Sequence, residues 1–401
     1  MQLNRFMELQ RLIDSDLKLY LSAFPCVAIL GPRQVGKTTS AKLLQESVEN
    51  ESIYLDLESD EDLLKLRNAE QYFNERQDKL IIIDEIQRNP SLFVLLRSVI
   101  DKKRTNGRFV LLGSASPELL AKSSETLAGR VAYLEMHPFV YQEIKAQFSF
   151  DDLWLKGGFP ASFLQPNLSL SFMMRSQFIQ TYLERELPIL GLSASPILLK
   201  NLLRMVAHCQ GQLINYSDLG SALGIEVNTV KRYLDYFENA FLIRRIYPFA
   251  INTKKRIVKT PKIFVRDTGV YHTLCNIADK EALDGFIGKG HSWESFVIQQ
   301  VMARLQAGVE AYFYRTQDGT ELDLVLVKGL QPVFGLEIKT SNAPKITRGT
   351  TIASHDLGNI PILVVTHSVS EDYSYSELVK ITSFQHMFRH LEEYKLIASE
   401  I

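Results

Sequence analysis

Three observations point to an α/β chain with a parallel sheet, followed by a helical and winged-helix region and a second α/β domain. Short aliphatic runs at residues 27–30, 80–83 and 109–112 have the character of strands covered on both faces of a parallel sheet. The first run passes through a glycine-containing loop into a helical pattern at residues 39–44. From residue 197 the apolar period becomes helical, and after residue 310 strand-like runs return. The expected division is residues 1–150, 151–280 and 281–401.

A chain of 401 residues is long enough for two or three cores. Its 46% apolar and 23% charged content is that of a water-soluble globular protein. A net charge of −1 gives no whole-molecule attraction to nucleic acid or anionic lipid, so any such binding needs a local patch. Cys26, Cys209 and Cys275 are too widely spaced for a disulfide framework or a zinc site. No signal peptide, and no apolar run of the ~20 residues a membrane helix needs, is visible in the sequence. A cytoplasmic location without membrane contact is the expectation.

Residues 31–38 read Gly31-Pro32-Arg33-Gln34-Val35-Gly36-Lys37-Thr38, with Thr39 next. Two glycines let the backbone curl so that successive N–H groups point inward and cradle phosphate oxygens at a helix N-terminus. Lys37 would reach the β- and γ-phosphates, and the Thr38 hydroxyl would hold Mg²⁺. A glycine turn followed by a solvated lysine is the bland alternative. The strand before the loop and the helix after it argue against that, so ATP or GTP is the expected ligand.

Residues 52–57 alternate like a second strand, and the run 80–83 ends in Asp84-Glu85. At the C-terminal end of a parallel strand these carboxylates would stand beside the phosphate loop. Asp84 would accept a Mg²⁺-bound water. Glu85 would polarise the attacking water, since hydrolysis needs a base in line with the γ-phosphate. The run 109–112 ends in Gly113-Ser114-Ala115-Ser116, and its end is expected next to the Asp84 strand. Ser114 would then face the γ-phosphate or the water, or else belong to a loop capping a helix at residues 117–120.

These features together resemble the AAA+ ATPases, and one bacterial and archaeal branch in particular. That branch shows G-P-R-Q-V-G-K-T-T, D-E-I-Q-x-x-P, L-x-G-S and L-A-G-R in this order. They stand here as residues 31–39, 84–90, 112–114 and 127–130, and the likeness extends to residues 157–160 and 180–186. It implies ATP and Mg²⁺ as ligands. It also implies that Arg130 completes a neighbouring active site, which would require a homo-oligomer. Ser114 stands where AAA+ proteins commonly carry asparagine.

Residues 197–206 form an amphipathic helix, and residues 216–224 a short one with Ser217 as its expected cap and Gly224 as its stop. A third helix at 227–238 and strands at 242–247 and 262–266 complete a winged-helix order. Between Phe241 and Arg266 lie eight Lys or Arg residues (244, 245, 254, 255, 256, 259, 262, 266) and no acid. Such a stripe is the footprint expected for DNA phosphates. A winged helix used for protein contact, with a merely soluble wing, is the competing reading. Asp235 and Glu238 on the third helix favour the latter.

In the last segment a helix from Trp293 to about residue 305 precedes strands at 311–315, 321–327 and 332–339. A helix at 345–353 and a strand at 361–366 follow. Glu337 and Lys339, two apart on a strand, face one side, where Asp323 joins them if the strands pair and Glu294 approaches from the helix. This resembles the PD-(D/E)xK nuclease fold. The resemblance implies that Asp323 and Glu337 hold a divalent metal while Lys339 orients the attacking water. The same fold also serves as a binding platform, and an incidental Glu–Lys pair on a solvated hairpin remains open. Three readings follow: an ATPase engaging DNA, an ATP-gated nuclease, and a nucleotide-dependent switch that binds a partner and cuts nothing.

Overall fold

The computed structural model describes residues 9–47, 51–115, 127, 129–250 and 256–398. The chain divides into two compact units, Met1–Lys200 with Asn228–Leu242, and Asn201–Val227 with Ile243–Ile401.

In the first unit, β1 (Cys26–Leu30), β2 (Ser52–Asp56), β3 (Leu80–Asp84), β4 (Phe109–Gly113) and β5 (Val131–Glu135) form one sheet. Its order is β2-β3-β4-β1-β5 and every pairing is parallel. The aliphatic runs of β1, β3 and β4 are buried at every position, because helices and loops cover both faces. As expected, β4 lies beside β3. It also separates β3 from β1, so loop and carboxylates meet across a strand. The helix Ser91–Lys102 buries Leu92, Phe93, Leu96, Val99 and Ile100, one stripe at helical spacing. Against that stripe pack Phe73 and Phe109, edge to face at 5.5 Å. Each such buried side chain contributes about 1.5–3 kcal/mol.

Several elements were not foreseen. Strand β5 alternates in burial as an edge strand does, a weak signal in so short a run. The helices Phe150–Lys156, Pro160–Phe163 and Leu168–Thr181 lead into a π-helical turn, Tyr182–Glu186. The helix expected at 227–238 is present as Val227–Asn239 and buries Val230, Tyr233, Leu234 and Phe237. The Tyr182 hydroxyl donates to the Ala240 carbonyl at 2.8 Å, tying the turn to the end of that segment.

The second unit holds two sheets. In the smaller, β6 (Gln212–Leu213), β7 (Ile243–Ile246) and β8 (Lys262–Val265) pair antiparallel in the order β6-β8-β7. The helix Tyr216–Leu223 stops at Gly224, whose φ of 66° suits glycine. Its cap is not Ser217 but Asn215, whose side chain accepts from the N–H groups of Ser217 and Asp218. A helix at 117–120 was expected too; those residues, like Ser116, Lys254 and Lys255, lie outside the described ones.

The larger sheet contains β9 (Val309–Arg315), β10 (Glu321–Lys328), β11 (Gln331–Ile338), β12 (Ile362–Thr366), β13 (Tyr373–Ser374) and β14 (Val379–Ser383). Its order is β13-β14-β12-β11-β10-β9, antiparallel from β9 to β11 and parallel from β11 through β12 to β14. The helix expected from Trp293 begins at Lys289, because the turn at Gly288 sets its start and Gly290 hides it from propensity. The helix expected at 345–353 is Arg348–Asp356, since Thr347 is extended. The helix Phe384–Glu393 was not foreseen. Among the described residues no helix is long and apolar enough to cross a membrane.

Candidate functional site

The turn after β1 is held by packing on both sides. A Cβ on Gly31 would stand 2.3 Å from the Met136 carbonyl oxygen, and Gly36 has a φ of 104°, so neither position accepts a side chain without strain. Arg11, which sequence patterns did not single out, donates to the Val35 carbonyl at 2.6 Å and to the His137 carbonyl at 2.6 Å, and pairs with Glu143 at 3.0 Å. It braces the loop from below.

Lys37 opens the helix Lys37–Ser47 and is buried, its ammonium donating to the carbonyls of Gly31 and Pro32 at 2.8 Å each. Burial pulls its pKa down to about 8, although the Glu85 and Asp84 carboxylates oppose the shift. The Thr38 hydroxyl donates to Asp84 Oδ2 at 2.7 Å, and the Tyr54 hydroxyl donates to the same oxygen at 2.5 Å. Thr38 and Tyr54 thus converge on one Asp84 oxygen. Tyr54 on β2 was missed, because an alternating strand gives no hint of which tyrosine faces a carboxylate.

Glu85 follows β3 in the left-handed region at φ 54°, a conformation strained for glutamate. Burial raises its pKa, with Arg33 and Lys37 pulling the other way. Gln87 donates to Glu85 and, at 2.9 Å, to the Ser114 hydroxyl. Ser114 is thus buried against Gln87, two residues beyond the carboxylate. Arg33 reaches Glu58 at 2.9 Å, Glu85 at 3.4 Å and Glu186 at 2.5 Å. Glu186, on the π-helical turn, is the other partner that residue spacing could not supply.

Arg33, Lys37, Thr38, Asp84, Glu85 and Glu186 line a cleft of about 520 Å³, which Ser114 and Tyr54 do not line. Gln34, Gly36, Lys37, Thr38 and Thr39 form its loop side, and Pro160, Ala161, Leu164, Met174 and Phe178 an apolar wall. Arg130 does not line it. It makes a bidentate pair with Asp101 at 2.6 and 2.9 Å.

In the second unit another cleft, of about 790 Å³, gathers Glu294, Asp323, Glu337 and Lys339. Glu337 and Lys339 pair at 2.5 Å, and Asp323 Oδ2 accepts from the Ile338 N–H at 2.7 Å. Glu294 joins them through Lys262, at 3.0 Å. The sequence assigned Lys262 to the basic stripe; it is instead 3% exposed and turned into these carboxylates. Arg266 is buried too, so among the described basic residues of the stripe Arg256 and Lys259 stay exposed, with Arg244 and Arg245 half-buried. Among the described residues no three His, Cys, Asp or Glu side chains are arranged to hold a metal ion.

Residues 23–145 match the model of an AAA domain. Two domains of unknown function, DUF8612 and DUF4143, match residues 147–281 and 289–387. The parallel sheet with its phosphate loop is accordingly an AAA-type P-loop domain. Uncharacterized proteins of Mycobacterium tuberculosis (Rv2008c) and Mycobacterium bovis (Mb2031c) are each 38% identical over 341 residues, 85% of this chain and 76% of theirs. A solved Walker-type ATPase of Pyrococcus abyssi superposes with a TM-score of 0.44 at 16% identity, over 65% of this chain and 94% of that one.

Proposed function

This chain belongs to the family of the mycobacterial proteins Rv2008c and Mb2031c, and we propose that within it the chain is a Mg²⁺-dependent ATPase whose turnover switches its second unit between binding states. The observation that carries this reading is the meeting of Lys37, Thr38, Asp84 and Glu85 in one cleft with an apolar wall. A cleft of this size takes a nucleotide, with the base against Phe178, Met174 and Leu164 and the phosphates on the loop. Lys37 leaves the Gly31 and Pro32 carbonyls to meet phosphate oxygens. Mg²⁺, held by Thr38 and through water by Asp84, would neutralise charge on the phosphates. Glu85, released by Arg33 and Gln87, orients and deprotonates the attacking water.

Lys37→Ala removes charge-assisted hydrogen bonds worth about 1.5–3 kcal/mol each, so ATP affinity should fall about 10- to 100-fold. Titration of a fluorescent ATP analogue into wild type and variant checks this. Unchanged affinity would remove ATP from the reading.

The division at residues 1–150, 151–280 and 281–401 belongs to the same proposal. So do Arg130 acting in trans within an oligomer and a winged helix made of the segments from 196 to 265. A DNA-engaging strip is the second reading, favoured by the exposure of Arg256 and Lys259 between β7 and β8. If both contact phosphates, replacing them with alanine lowers the slope of log K against log salt by about two. An unchanged slope in filter binding would leave a protein as the partner.

A further inference from the structure

The likeness of residues 281–401 to metal-dependent nucleases makes a demand that the second cleft does not meet. A hard divalent cation needs oxygen ligands converging on it at about 2.0–2.6 Å, including at least one or two carboxylates free to turn toward it. Here each carboxylate is already engaged. Asp323 accepts from the Ile338 N–H, and Glu337 is paired with Lys339. Glu294 and Glu321 both meet the Lys262 ammonium, at 3.0 and 2.7 Å, and the other Asp323 oxygen lies 3.7 Å from it. Arg315 adds a further cation, 3.3 Å from Glu321.

Lys262 cannot step aside cheaply. It sits on β8, with β6 paired on one edge and β7 on the other, and its ammonium lies 5.6 Å from the centre of the Phe313 ring. An ammonium so enclosed, with two carboxylates as hydrogen-bond partners, supplies the positive charge the cluster needs. A divalent ion binding Asp323 and Glu294 would have to enter against it.

We infer that Lys262 is the resident cation of this carboxylate cluster, standing where a divalent metal would have to stand. Asp323, Glu337 and Lys339 therefore do not form a metal-dependent cleavage centre in this chain. The nucleotide cleft plays no part in this inference.

The test is Mn²⁺ binding to the nucleotide-free 401-residue chain, followed by the loss of the free-ion electron paramagnetic resonance signal. Wild type and Asp323→Asn should take up the same amount of Mn²⁺. Lys262→Met should gain one site, which the double variant with Asp323→Asn loses. A wild-type site that disappears in Asp323→Asn overturns the inference, and so does a folded Lys262→Met that gains none. Where Lys262→Met does not fold, the comparison of wild type with Asp323→Asn decides alone.

Discussion

Glu85→Gln should leave ATP bound and lower its turnover by about 100- to 10,000-fold, the range in which a positioned general base contributes. The amide keeps the size and the hydrogen-bonding reach of the carboxylate but cannot take a proton. Nothing in the loop that cradles phosphate changes. Lys37 and Thr38 keep their places, so the dissociation constant for ATP should stay within about threefold, the pattern of an interaction made in the transition state. Burial already raises the Glu85 carboxyl, with Arg33 and Lys37 pulling the other way, which moves it toward the range a general base needs. Steady-state phosphate release, set beside nucleotide titration, separates the two effects. A fall of less than tenfold would mean that another group orients the water, and Asp84, directly beside it on β3, would be the first to test.

The same residues show how far a sequence carries this argument. The phosphate loop and the Asp84-Glu85 strand end could be found because the chemistry demands fixed residue types at fixed spacing on buried elements. Glu337 and Lys339 were found for the same reason, since a strand alternates its faces. What could not be found is what comes from a different part of the chain. Tyr54 on Asp84, Glu186 on Arg33 and Arg11 beneath Val35 are separated from their partners by 30, 153 and 24 positions, and no local period encodes such meetings. Lys262 shows the opposite hazard. Within a basic stretch it looks like one more solvated cation, and composition gives no sign that the β8 pleat turns this side chain inward while Arg256 and Lys259 stay outside. Caps fail in a similar way: Ser217 and Asn215 are both good caps, and the backbone of Asn215, at φ −105° and ψ 93°, decides between them.

Lys262→Met should destabilise the second unit by about 3–5 kcal/mol, the cost of leaving one partner of a buried ion pair without the other. Methionine fills much the same volume, so the loss is electrostatic rather than a cavity. Glu294, 6% exposed, would lose its ammonium partner and keep the His291 contact at 3.4 Å, and Glu321 would fall back on Arg315. The double variant Lys262→Met/Glu294→Leu should recover most of that loss, because an apolar pair in place of a buried ion pair is often neutral or better. Trp293, fully buried next to Glu294, reports the unfolding of this unit by fluorescence once Trp154, the second of the chain's two tryptophans, is replaced by phenylalanine. Urea curves on that background should show a lower midpoint at an unchanged slope for Lys262→Met and a restored midpoint for the double variant. A single variant as stable as its parent would place the ammonium in water, and the carboxylates of this cleft would then be free to take another cation.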